Sequence, residues 1–221
     1  SSADPNRFIL ERVGASLEGR SINLITTGTG PLRVLLWSQM HGDEPTATAA
    51  LFDVFDYFSR HRADPPVQRI LSSLTLYIVP MLNPDGAERF QRRNAQFIDV
   101  NRDALSLQTP EGQVLKRLRD RFNPRVGFNL HNQSWNTSVG DPPKPASISL
   151  LSVAYDKDLS ENAGRKLTRK LCAVIRDALE PFASRQIGRY DDEFEVRAFG
   201  DNLTLWGTPV TVPSSSTPTS N

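Results

Sequence analysis

The chain has 221 residues, 38% of them hydrophobic and 23% charged, proportions that fit one large globular domain with a substantial core. Lys and Arg total 26 against 25 Asp and Glu, so no global field draws the molecule to nucleic acid or an anionic membrane, and recognition must be local. The single cysteine, Cys172, excludes an intrachain disulfide, and no apolar run reaches the length of a membrane span.

Residues 1–20 are mixed in character and end in a turn-like Leu17-Glu18-Gly19-Arg20. Residues 21–27 alternate and read as a strand. Gly28-Thr29-Gly30-Pro31 turns the chain, and residues 32–37 form a second strand with few polar breaks, so a hairpin leading into a central strand is expected. This run ends in His41-Gly42-Asp43-Glu44, and Pro45 then opens a helix with apolar positions at 47, 50, 51, 54, 55 and 58. Residues 74–79 are a third strand and residues 80–86, PMLNPDG, a strong turn. Residues 87–99 carry Arg89, Arg92 and Arg93 with little periodicity, a long loop that a compact domain keeps only for a reason. Thr109 caps and Pro110 opens a helix reaching about Phe122. Asn123-Pro124 breaks it, and residues 126–130 are a strand that delivers His131. Residues 135–145 read as a surface loop, 148–153 as a strand, and 159–179 as the longest helix, with Cys172 a buried packing thiol rather than a nucleophile. Residues 188–202 are irregular, aromatic and acidic, 203–212 a last strand, and 213–221, PSSSTPTSN, a disordered tail. Strands alternating with helices define an α/β fold: a single domain over residues 1–212, with a mixed, mostly parallel central sheet and helices on both faces.

Of the three histidines, His61 sits at a solvated helix end, whereas His41 and His131 each follow the carboxyl end of a strand. Open α/β sheets place their sites in the crevice beyond those ends, so His41, Glu44 and His131 can converge there. Imidazole and carboxylate suit zinc, which in catalytic sites takes three protein ligands and leaves a position for water. Taken alone, the His-x-x-Glu pair is a weak signal, and a turn stabilised by Asp43 and Glu44 is the plainer reading of it.

Further motifs sharpen that reading. Gly19-Arg20-Ser21-Ile22, His41-Gly42-Asp43-Glu44, Asn83-Pro84-Asp85-Gly86, Arg92-Arg93-Asn94, Asp99-Val100-Asn101-Arg102 and Phe128-Asn129-Leu130-His131 occur in this order. Together, over nearly the whole chain, they resemble the zinc carboxypeptidases, the metallocarboxypeptidase family of carboxypeptidase A and B type. The resemblance implies a hydrolase with one Zn2+ per chain held by His41, Glu44 and His131, and a peptide or small carboxylate as substrate. Asp99 would hold a ligand histidine in the right tautomer. Asn101 and Arg102 would grip the substrate's terminal carboxylate, a task for the planar guanidinium fork. Arg92, or Arg93 beside it, would polarise the scissile carbonyl, and Tyr190 would close over the substrate. Plainer roles stand beside these: a turn cap for Asp99, a pair with Asp103 for Arg102, solvated charges for Arg92 and Arg93, and a satisfied buried hydroxyl for Tyr190.

The resemblance gives out at the general base, a glutamate on a late strand in this family. By spacing Ser214 falls at that position, and serine cannot take a proton from zinc-bound water near neutral pH. Either the chain is truncated before its base and closing elements, or it is a relative with weakened or lost hydrolysis, or Glu193 or Glu195 serves as the base. The first reading is a metallocarboxypeptidase; a zinc-dependent deacylase of N-acyl amino acids and a non-catalytic peptide-binding module are the alternatives. Asp192, Glu193 and Asp201 are the acids that would favour basic residues in the side-chain pocket. The chain begins Ser1-Ser2-Ala3 rather than with Met, consistent with removal of a leader, and a secreted or periplasmic location is favoured over a cytoplasmic one.

Overall fold

In a computed structural model describing residues 8–133, 136–141, 143–190 and 193–216, the alternating runs become strands β1 (Ile9–Ala15), β2 (Ser21–Thr27) and β3 (Leu32–Ser38), then helices α1 (Thr46–Arg60) and α2 (Pro65–Ser73). β4 (Leu74–Val79), α3 (Pro84–Glu88), a 3-10 turn over Val100–Arg102, α4 (Pro110–Phe122) and β5 (Val126–Gln133) follow. A short ribbon, β6 (Ser138–Val139) with β7 (Lys144–Pro145), precedes β8 (Ile148–Ser152), α5 (Ala163–Leu179), β9 (Ile187–Arg189), α6 (Phe199–Leu205) and β10 (Val210–Ser216). Eight strands form one sheet in the order β1-β2-β4-β3-β5-β10-β8-β9. β4, β3, β5 and β10 run parallel through its centre; β1 and β2 join antiparallel at one side, and β8 antiparallel at the other.

Helices cover both faces. On one, α4 contributes Val114, Leu115 and Leu118 and α6 contributes Phe199 and Leu203 to a core shared with Leu35, Trp37 and Val210. On the other, Leu51 and Phe58 of α1 and Val67 and Leu71 of α2 pack on Val34, Ile78 and Val126. The alternation along β5 follows from this: Val126 and Phe128 face the second core, while Gly127, Asn129 and His131 face the first. A side chain at Gly127 would meet the Trp37 ring at 3.0 Å and Val210 at 3.2 Å, so glycine there makes room for the indole.

Several expectations are corrected. β2 and β3 do not form a hairpin, because β4 inserts between them; β2 pairs instead with β1 and β4, across the turn at residues 16–20. Residues 203–212 are not one strand. Phe199 and Leu203, one helical turn apart, are both fully buried, and the chain is helical through Leu205 before Gly207, at φ +95, turns it into β10. Pro213–Ser216, expected to open a disordered tail, lie within β10; β5 and β8 pair with it on either side, so sheet pairing overrides a polar composition. The longest helix starts at Ala163 rather than at residue 159, with the Asn162 side chain capping Arg165 N at 2.8 Å. Cys172 is half-buried, its Sγ 3.1 Å from the Thr211 hydroxyl.

Candidate metal and substrate site

β3 and β5 are neighbours and parallel, so both deliver their following residues to one end of the sheet. After Ser38 the chain turns sharply through Gln39, which takes a left-handed φ of 50°. That conformation is unusual for a side chain with a Cβ and is found where the surroundings over-determine it. Here Gln39 Nε2 donates to Gly42 O and Gln39 Oε1 accepts from Thr48 Oγ1, while the Gln39 backbone carbonyl accepts from Asn83 N. The loop then lies on the Asn83–Gly86 turn so closely that a Cβ at Gly42 would come within 2.0 Å of the Gly86 backbone. That turn is itself anchored. Asp85, fully buried, accepts from Ser16 Oγ at 2.7 Å, Glu18 N at 3.1 Å and Arg20 Nη1 at 2.8 Å. The Gly19-Arg20, Asn83–Gly86 and His41–Glu44 motifs thus form one stack.

On this platform His41 Nδ1 lies 2.7 Å from Glu44 Oε1, and His131 Nδ1 lies 2.7 Å from Glu44 Oε2. The imidazole centroids are 4.8 Å apart, and the three candidate ligand atoms fall within 4.8 Å of one another. The other nitrogen of His41, Nε2, is 3.1 Å from Asp99 Oδ1, the arrangement that fixes a ligand tautomer. Two imidazoles and a carboxylate converging on one point, with a carboxylate behind one of them, fit a zinc ion.

The same contacts set the ionisation of these groups. Burial pushes the Glu44 carboxyl up, but hydrogen bonds to His131 and His41 outweigh it and hold it well below the usual range. Asp99 is likewise opposed by burial and held low by its bond to His41. Burial would lower His41, yet its bonds to Asp99 and Glu44 raise it, whereas His131 is lowered by burial.

A cavity of about 290 Å³ opens beside these groups, lined also by Arg92, Asn101, Arg102, Tyr190, Glu193 and Glu195. Arg92 puts its guanidinium next to the ligands, with Nε 3.0 Å from Asp99 Oδ2 and Nη1 3.5 Å from Glu44 Oε1. Arg93 instead donates to Phe97 O at 2.8 Å and lies outside the cavity lining. Asn101 Oδ1 accepts from Phe199 N at 3.0 Å, tying the 3-10 turn to α6, and Arg102 Nε pairs with Glu195 Oε2 at 3.4 Å. Glu195 therefore faces Arg102. The Tyr190 hydroxyl is pushed up by burial and then by the Glu44 charge, which keeps it a hydrogen-bond donor. Asp192 lies outside the described residues. Ser214, 2% exposed, sits directly beside His131 in the sheet and lines the same cavity.

Two further residues belong to the site. Asn132 N donates to Glu44 Oε2 at 3.1 Å, and its side chain to Thr46 Oγ1 at 2.9 Å. Nothing in the sequence marks this, since any residue supplies a backbone N–H. Asn129 lines the cavity two residues before His131; period-two alternation was the available signal.

A fold with a mostly parallel sheet and a His-Glu-His set at its carboxyl end defines a metallohydrolase-like site, and the comparisons give it a family. The zinc carboxypeptidase model of the M14 peptidases matches residues 1–184, and the chain belongs to that family. Carboxypeptidase 2 of Trichophyton rubrum is 28% identical over 160 residues, covering 71% of this chain and 29% of that protein. A metallo-carboxypeptidase from Burkholderia cenocepacia superposes with a TM-score of 0.74 at 15% identity, over 96% of this chain and 56% of that one. A murein-tripeptide amidase from Escherichia coli O157 gives 0.57 at 17% identity, over 100% and 88%. The chain thus spans under a third of the matched fungal protein and little more than half of the Burkholderia structure. Among the described residues no helix is long and apolar enough to cross a membrane.

Proposed function

We propose that this chain binds one zinc ion through His41, Glu44 and His131 and acts, within a metallocarboxypeptidase, on the C-terminal residue of a peptide. The observation that carries the reading is one cavity lined by this ligand set together with Asn101 and Arg102. Zinc held there would acidify a water molecule and polarise the scissile carbonyl. The protein's own groups supply the rest. Arg102 exchanges its Glu195 partner for the substrate's terminal carboxylate, with Asn101 beside it. Arg92 adds positive charge where negative charge develops on the carbonyl oxygen. Asp99 keeps His41 presenting Nδ1 to the site, and Tyr190 donates a hydrogen bond from the cavity wall.

Ser214 occupies the place beside His131 where a proton acceptor is needed, and its hydroxyl is too weak a base for the task. Among the other cavity carboxylates, Glu193 and Glu195 are the candidates, Glu195 being released when Arg102 turns to the substrate's carboxylate, whereas Asp201 is held by Glu195 N. We therefore expect ligand binding to exceed turnover in this chain.

The test is hydrolysis by zinc-loaded protein of matched peptides with free and amidated C-termini, alongside N-acyl amino acids. Cleavage restricted to free C-termini, abolished by Arg102→Ala, supports the carboxypeptidase reading. Cleavage of amidated peptides, or of N-acyl amino acids alone, contradicts it.

A further inference from the structure

A second recess lies on the other face of the sheet. The β8–β9 register sets Leu150 beside Arg189 and Ile148 beside Ile187, so these side chains share a face. Ser152 joins that face by period-two alternation. It lies beside Thr211 of β10, which lies beside Phe128 of β5, so this is the face turned away from His131. The Ser152 hydroxyl is 2.7 Å from that of Thr168, and Cys172 Sγ is 3.1 Å from the Thr211 hydroxyl. α5 is thereby seated over β8 and β10. Beside it, towards β9 at the sheet edge, a cavity of about 330 Å³ stays open. Leu151 lines both this cavity and the one beside the metal ligands, so one strand stands between them.

The lining defines what fits. Helical spacing puts Arg169, Cys172, Ala173 and Arg176 on one stripe of α5, and Arg189 of β9 closes the far side. Leu150 and Ile187 supply hydrocarbon between them. Three guanidiniums thus border an apolar recess that, among the described residues, no acid lines, in a chain of formal net charge +1. Arg169 Nη1 lies 2.5 Å from Glu161 Oε1, and Arg176 Nη2 lies 2.6 Å from Asp177 Oδ1. Both pairs are well exposed to solvent. Ion pairs in that setting hold little energy, so they yield to an anion of better geometry. A phosphate monoester meets the demands. As a dianion at neutral pH it answers more than one positive charge, and its terminal oxygens accept from more than one guanidinium. Hydrocarbon carried on its ester oxygen covers the apolar floor. The volume, at the small end for ligand pockets, limits that hydrocarbon to a compact group such as a single ring.

We propose that this recess is a second ligand site, across the sheet from the metal-ligand cavity, and that it takes a phosphate monoester bearing a compact apolar group, with Arg169, Arg176 and Arg189 gripping the phosphate.

The test is calorimetric titration of the zinc-loaded protein at neutral pH with phenyl phosphate, phenylacetate, inorganic phosphate and phenol. Phenyl phosphate should bind saturably, at least about tenfold tighter than each of the others, which lack a charge, the ring or the anion. Arg176→Ala and Arg189→Ala should each weaken it at least about fivefold. Ala173→Phe, which puts a ring into the recess, should abolish binding; if that variant does not fold, the two exposed arginine replacements decide alone. Arg102→Ala, in the other cavity, should leave phenyl phosphate binding unchanged. Absence of saturable binding, an affinity matched by any of the other three compounds, or a loss on Arg102→Ala with none on Arg176→Ala and Arg189→Ala overturns the proposal.

Discussion

Individual side chains carry the sharpest consequences. Asp99 holds one ligand imidazole from behind, so Asp99→Ala should weaken zinc affinity by about 10- to 100-fold, read by competition with a chromophoric chelator, while the fold persists. Ser214 lies beside His131 on β10. Placing a carboxylate there, Ser214→Glu, should raise peptide hydrolysis by about 10² to 10⁴, the range of a general base, measured against the zinc-loaded parent. No gain in a folded, zinc-binding variant would place the base elsewhere, with Glu193 next to be replaced. Asp201 adds a pH signature. Its folded carboxyl is raised from 3.8 to about 6, so the folded state holds its proton more tightly and stability falls as pH rises through that window. Asp201→Asn, which keeps the acceptor for Glu195 N, should be more stable than the parent at pH 7 by on the order of 2 kcal/mol. The advantage should vanish below about pH 4 in paired denaturation curves.

At the level of elements, the His41–Glu44 loop works because two glycine-containing turns touch. Gly42→Ala would drive a methyl into the Gly86 backbone; the overpacking should cost about 1–3 kcal/mol and loosen zinc binding, both measurable on one preparation. The elements that the sequence made legible are those with local signals: strands 21–27, 74–79 and 126–130, the Thr109–Pro110 helix start, and the strand ends before His41 and His131. Those it hid depended on distant partners. β2 pairs with β1 and β4 rather than β3 because sheet order is set by packing of the crossover helices, which no alternation pattern encodes. The serine-rich run after Val212 reads as disorder by composition, yet two neighbouring strands pair with its backbone. Asn129 was visible inside a motif, but its place in the cavity wall is a property of the assembled fold.

Across the whole molecule, the recognised motifs are links in one chain of contacts. Arg20 holds Asp85, the Asp85 turn supports Gly42, and Glu44 bridges the two histidines from β3 and β5. Removing the buried member of the first link, Asp85→Ala, should destabilise the protein by about 3 kcal/mol, by chemical denaturation, and weaken zinc binding from a distance. The direct test of the account is zinc stoichiometry by elemental analysis after dialysis, for the parent chain and for His131→Ala. Close to one zinc per parent chain is expected, and none retained by the variant. A parent that holds no zinc, or a variant that keeps its full complement, would contradict it.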